Sequence, residues 1–153
     1  MRKEKSENTV DFGERGKYDR RNKINDLTGK EWVYFTNSVW ITGYSPTSKD
    51  NVGLEYRKIH PSPKPPGLIK DIIEFFTKAN SLIFDPFAGS GTLGLAATNL
   101  NRYFFLTEKE PKYVNRMKED LVKSDSLFSS QKKQPKFINL DDFILSTKRK
   151  IWQ

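Results

Sequence analysis

The stretch Ser81-Leu-Ile-Phe-Asp-Pro-Phe-Ala-Gly-Ser-Gly-Thr92 decides the fold. Leu82-Ile83-Phe84 is a short apolar run between polar Asn80-Ser81 and an acidic residue followed by glycines, which is the pattern of a buried strand. Gly89-Ser90-Gly91 makes a turn, and Leu93 to Leu100 has the composition of a helix packed on a sheet. Strand, glycine turn and helix together bring a helix N-terminus and its N–H groups against a small polar ligand. Glycine lets the backbone approach that ligand where a Cβ would collide. Gly89, Gly91 and Gly94 also spell G-x-G-x-x-G, and Glu108 follows at roughly the 20-residue spacing of a dinucleotide site. Asp85, at the strand tip, argues against a pyrophosphate because its carboxylate would repel one. A carboxylate there suits a ligand that carries positive charge.

The chain has 153 residues, enough for one domain with a modest core. Hydrophobic residues make up 35% and the mean hydropathy is -0.73, low for a compact domain, so the ends are expected to be poorly packed or to need a partner. The net charge of +8 is the footprint of a nucleic-acid binder, although charge alone does not select one. The absence of cysteine excludes disulfides, thiolate chemistry and the usual zinc sites. No apolar run approaches the roughly 18 residues of a membrane span. The basic N-terminus lacks the apolar segment of a secretory signal, and a soluble cytoplasmic protein is the simplest expectation.

Residues 1–25 are polar and charged, carry eight lysines and arginines, and read as a basic, flexible arm able to lie on DNA phosphates. Residues 26–153 are expected to form the folded part. Thr28 and Glu31 have capping-box spacing, and Trp32, Phe35, Val39 and Trp40 recur at helical intervals. These aromatics fit core packing better than base stacking. Thr42 to Asn51 reads as a loop, and the proline-dense run from Arg57 to Pro66 as extended chain. A helix is expected from Gly67 to Phe76, a second strand at Tyr103–Thr107 and a third helix from Pro111 to about Val122. After a polar, basic loop to Lys136, Phe137–Leu140 reads as a third strand ending at Asp141.

Asp85-Pro86-Phe87-Ala88-Gly89-Ser90-Gly91-Thr92 resembles the D-P-F-x-G-[ST]-G-T signature of amino DNA methyltransferases, which modify N6 of adenine or N4 of cytosine. Their cofactor, S-adenosylmethionine, carries a sulfonium and an ammonium, in keeping with Asp85. Three further strings are similar to the same family. Asn25-x-Leu27-Thr28-Gly29-Lys30-Glu31-Trp32 precedes the site, His60-Pro61-x-x-Lys64-Pro65 matches H-P-x-x-K-P, and Arg102, Glu108 and Tyr113 match R-x-x-x-x-x-E-x-x-x-x-Y. Phe104 and Leu106 replace the small glycines usual in the last of these.

The resemblance implies an α/β, Rossmann-like S-adenosylmethionine-dependent methyltransferase fold with an incomplete parallel sheet. It implies a cofactor site of Lys64, Pro65, Asp85, Pro86, Phe87, Ala88, Gly89, Ser90, Gly91, Thr92, Glu108, Lys109 and Asp141. In it Lys64 faces the cofactor carboxylate, Glu108 accepts the ribose hydroxyls and Asp141 approaches the adenine. His60, the one histidine, is given no acid–base role. No metal is implied.

The family's catalytic element, [DNS]-P-P-[YFW], grips the target amine and stacks on the flipped base. It has no copy between Met1 and Gln153: Ser45-Pro46-Thr47 lacks the second proline, and Pro65-Pro66-Gly67 has no Asp, Asn or Ser directly before the pair and no aromatic after it. The implied function is therefore the cofactor half of a DNA methyltransferase, inactive alone. It would act on double-stranded DNA with a second polypeptide or a missing segment that carries the loop. The alternatives are a degenerate, non-catalytic protein that binds cofactor or DNA, and an NAD-dependent oxidoreductase fragment supported only by the glycine spacing.

Overall fold

A computed structural model describes residues 7–45, 47–52 and 54–127. The segment expected as a basic arm carries a small antiparallel hairpin, β1 (Thr9–Asp11) and β2 (Lys17–Asp19), joined through one 3-10 turn at Gly13–Arg15. Few of its side chains are apolar, and polar ties fasten it to the body. Thr28 donates its hydroxyl to the Arg15 carbonyl (2.8 Å), Arg15 pairs with Glu31 (2.6 Å), and Lys78 donates to the Tyr18 hydroxyl (2.9 Å).

Helix α1 spans Gly29–Phe35 and starts from the expected capping box: the Thr28 N–H donates to Glu31 Oε2 and the Glu31 N–H to Thr28 Oγ1. It ends at Phe35 rather than continuing through Trp40. The Trp40 indole N–H returns to the Phe35 carbonyl (3.1 Å), and Val39 is left 78% exposed. Trp32, Phe35 and Trp40 all pack on Phe75 at ring-centroid distances of 5.3–5.9 Å, so these aromatics are core-facing. Asn25, fully buried, donates to the Phe75 carbonyl and ties the chain entering α1 to the next long helix.

The chain from Arg57 to Ile59 is helical, part of α2 (Leu54–Ile59), and not extended as the prolines suggest. The extended stretch begins only after it and ends at Pro65, the residue capping α3 (Pro66–Phe76). Strand β3 (Leu82–Asp85) leads through the glycine turn to α4 (Thr92–Asn99). Then β4 (Tyr103–Leu106) pairs with β3 in parallel, Leu82 opposite Tyr103 and Asp85 opposite Leu106. Helix α5 follows at Pro111–Leu127. Two parallel strands separated by a helix make the α/β unit; the expected third strand at Phe137–Leu140 lies outside the described residues.

One face of the two-stranded sheet is covered. Ile83 and Phe104 pack with Ile73 of α3 and with Ala96 and Ala97 of α4, and Leu106 packs with Ala88, Met117 and Leu121. Leu93 and Phe104 belong to both groups and join them into one core. The bulky residues at positions where small ones are usual are accommodated by Gly94. A Cβ there would come within 2.8 Å of Leu106 Cδ1 and 3.5 Å of the Phe104 ring. On the opposite face Leu82, Phe84 and Tyr103 are exposed and Phe105 is half-buried.

Candidate functional site

The parallel pair ends at Asp85 and Leu106, and the glycine turn sits directly above those ends. Four hydrogen bonds hold it there. The Thr107 N–H donates to the Asp85 carbonyl (3.0 Å), the Ala88 N–H to the Thr107 carbonyl (3.0 Å), and the Thr107 hydroxyl to the Pro86 carbonyl (2.8 Å). The fourth is the Gly89 N–H, which donates to Glu108 Oε2 at 2.8 Å. The other Glu108 oxygen accepts from the Glu110 N–H at 2.8 Å. Glu108 is thus oriented by backbone on both sides of its carboxylate, at the tip of one strand and against the turn that leaves the other.

Asp85 accepts the Phe87 N–H (2.9 Å) across Pro86, and Phe87 is 87% exposed. Ala88, Ser90 and Gly91 are buried and form the floor. Gly91 has φ +86, and a Cβ there would lie 2.6 Å from Met117 Cγ of α5. Thr92 opens α4. Asp85, Glu108, the glycine turn and the N-terminus of α4 thus lie at the same end of the parallel pair. Lys109 follows Glu108 and is exposed.

The segment preceding α3 closes the site from the side. The His60 ring lies against Gly89, with Nε2 3.1 Å from where a Cβ would stand, and contacts the Tyr113 ring at 4.7 Å. Lys64 and Pro65 lead into α3, and Lys64 borders the same cavity as Thr92. That cavity, about 770 Å³, runs away from the turn between α3, α4 and residues 48–52, and meets the expected site only at Lys64 and Thr92. It also contains Glu74, whose carboxyl burial pushes up. Asp141 lies outside the described residues. No group of three or more His, Cys, Asp or Glu among the described residues is placed to hold a metal.

Residue spacing points to Glu108 but not to the anchoring of its carboxylate on Gly89, which depends on how β3 and β4 register. The packing of His60 on Tyr113 is likewise silent in the sequence, apart from both residues falling in matched strings.

A family model described as DNA methylase matches residues 2–119. The chain is 44% identical over 57 residues to Type II methyltransferase M.BglII of Bacillus subtilis, covering 37% of this chain and 16% of that protein. It is 37% identical over 89 residues to M.HindIII of Haemophilus influenzae (56% and 28%), and 34% identical over 106 residues to M2.LlaDCHI of Lactococcus lactis subsp. cremoris (69% and 35%). The chain thus spans about a third or less of the length of these relatives. A crystal structure of an M1.HpyAVI–SAM complex is similar with 43% identity over 40% of this chain and 30% of that one, at a TM-score of 0.39.

Proposed function

Since the chain belongs to the DNA methylase family, we propose that it is the S-adenosylmethionine-binding part of an amino DNA methyltransferase. The complete enzyme would act on an exocyclic amine of adenine or cytosine in double-stranded DNA. The observation that carries this reading is the Glu108 carboxylate, fixed by Gly89 and Glu110 N–H groups beside the Asp85 strand tip.

The residues fit the cofactor's chemistry. Each Glu108 oxygen has a second lone pair free of backbone, suited to ribose hydroxyls. Asp85 offers negative charge to the ammonium end, and Lys64 offers positive charge to the carboxylate. When bound, the cofactor supplies a methyl group on a sulfonium. The chain's own contribution is positioning, with Phe87, Gly89, Gly91 and Thr92 shaping the pocket. Lys109 lies beside Glu108 in sequence, and Asp141 is assigned to the adenine end.

Presenting the acceptor base requires the polar-Pro-Pro-aromatic loop that residues 1–153 lack. We therefore assign that loop to a second polypeptide or to further chain, and expect residues 1–153 to be inactive alone. The +8 charge supports weak, salt-sensitive contact with DNA phosphates.

Calorimetry with S-adenosylmethionine and with NAD tests the cofactor; binding of NAD alone would overturn the reading. Transfer of tritiated methyl to duplex DNA, by the chain with and without a polypeptide carrying the loop, tests the division of labour. Robust transfer by residues 1–153 alone would show that the acceptor site lies within them.

A further inference from the structure

The basic surplus of the chain is not spread evenly. Between Glu7 and Glu31 six lysines and arginines are matched by six aspartates and glutamates. Three of those cations are also engaged: Arg15 with Glu31 (2.6 Å), Arg21 with Asp19 (2.7 Å), and Lys30 on the Glu14 carbonyl (3.3 Å). This part of the chain is therefore balanced in charge, although residues 1–25 read as a basic arm. The surplus lies beyond it. Between Lys49 and Lys70 five basic residues stand against two acidic ones, and between Lys109 and Lys123 five stand against three. The first segment leads into α3 and the second includes most of α5, so the two flank the glycine turn.

The two segments meet at one place. The His60 ring contacts the Tyr113 ring at 4.7 Å and lies against Gly89. Lys58 stands two residues before His60, in the last turn of α2, and is exposed. Lys112 stands directly before Tyr113, with its ammonium 4.7 Å from the centroid of that ring, and is exposed as well. Neither pairs with a carboxylate among the described residues. The aromatic face holds the Lys112 ammonium in place without neutralising it, so less side-chain freedom is lost when an anion arrives. Lys109, by contrast, lies between Glu108 and Glu110. The hairpin is at the other end of the sheet: Tyr18 is tied to Lys78 (2.9 Å), just ahead of the start of β3 and away from Asp85.

We propose that Lys58 and Lys112 are contacts to the phosphates of duplex DNA, laying its backbone across the glycine-turn end of the sheet, and that the hairpin is not such a contact. This rests on the reading of the chain as part of a DNA methyltransferase. A phosphate oxygen accepts from an ammonium whatever the base sequence, so these contacts set position and carry no sequence information. Position is what methyl transfer needs, because the acceptor base must come out of the stack beside the cofactor. Cations beside the turn hold the duplex within reach of it, and cations on the hairpin would hold it at the wrong end of the strands.

The experiment uses the whole 153-residue chain and a labelled duplex of arbitrary sequence, with affinity read by fluorescence anisotropy over a range of salt concentrations. Each phosphate contact contributes about 0.9 to the slope of log affinity against log salt. Lys58→Gln combined with Lys112→Gln therefore makes the slope shallower by about 1.8, equally for unrelated sequences. Lys17→Gln combined with Arg20→Gln leaves it unchanged. Neither pair moves the melting midpoint, since all four residues are exposed. The chain has no cysteine, so a single introduced thiol is a unique handle. With a duplex that carries a thiol-reactive group on its phosphates, Lys58→Cys and Lys112→Cys cross-link and Lys17→Cys does not.

A slope unchanged in the Lys58 and Lys112 pair, a slope lost in the hairpin pair, or cross-linking confined to position 17 overturns the proposal. So does absence of duplex binding by wild type at low salt. Calorimetry separates this from the reading it rests on: a chain that binds NAD and not S-adenosylmethionine overturns the reading of the turn, while the salt slope and the cross-links still decide the phosphate contacts.

Discussion

At the scale of single residues, Gly91 meets two demands at once. Its φ of +86 is one that a side chain strains, and any Cβ would collide with Met117 Cγ. Gly91→Ala should lower stability by about 2–3 kcal/mol, combining backbone strain with overpacking, and a thermal melt with an unchanged midpoint would refute this. Glu108→Gln is a milder change. The amide can accept one of the two backbone N–H groups but presents a donor to the other. Affinity for S-adenosylmethionine should fall by about 1–3 kcal/mol, while the melting midpoint moves much less than in Gly91→Ala. Equal affinity by calorimetry would remove Glu108 from the site. Asp85 and Glu108 are legible in the sequence because a strand tip is recognised by an acidic residue ending an apolar run. That Glu108 also braces the turn is not legible, since it follows from the parallel register of residues 19 apart.

At the scale of elements, α1 shows which signals survive folding and which do not. Thr28 and Glu31 are read correctly because capping depends on a three-residue spacing and on nothing distant. The end of the helix is misread because Val39 and Trp40 continue the helical interval, while the Trp40 indole bends back to terminate it at Phe35. The hairpin at Thr9–Asp19 is invisible for a related reason: polar contacts such as Arg15–Glu31 anchor it, rather than alternating apolar residues. Thr28→Ala removes the cap and the bond to the Arg15 carbonyl together, so a loss of about 1–2 kcal/mol is expected by denaturant titration. Burial pushes the Glu31 carboxyl up, but its bonds to Arg15 and Thr28 outweigh this and hold it below the usual range. A carboxyl lowered by folding stabilises the protein above its unfolded value, about 4.3, and that contribution fades as the pH falls through the folded value. The melting difference between wild type and Glu31→Gln should therefore be largest near neutrality and shrink below about pH 4. A difference that does not change with pH would remove the charge from the account.

At the scale of the whole molecule, the two faces of the sheet are unequal. The face of Ile83, Phe104 and Leu106 is sealed by α3, α4 and α5. The other presents Leu82 at 70% exposure, Phe84 at 54% and Tyr103 at 48%, with Phe84 and Phe105 in contact at 5.4 Å. Parallel strands are stable when covered on both sides, because their residues are apolar on both. The sequence already announces this: Leu82-Ile83-Phe84 and Tyr103-Phe104-Phe105-Leu106 are continuous apolar runs and not alternating ones. An apolar face exposed in this way among the described residues recruits whatever apolar surface is present, including other copies of the chain. The proposed dependence on a polypeptide carrying the catalytic loop gives that face a use, since the same added strands and helices would cover it. The isolated chain should then enhance the fluorescence of an apolar-surface dye and self-associate with rising concentration. Replacing Leu82, Phe84 and Tyr103 together by threonine keeps strand propensity while removing the apolar surface. Dye enhancement and self-association should both fall, S-adenosylmethionine affinity should stay within about twofold because these side chains point away from Asp85 and Leu106 along the pleat, and methyl transfer restored by a partner should be lost. Loss of cofactor affinity in the triple variant would mean that this face supports the turn. Full transfer activity with the partner would mean that the covering segment binds elsewhere.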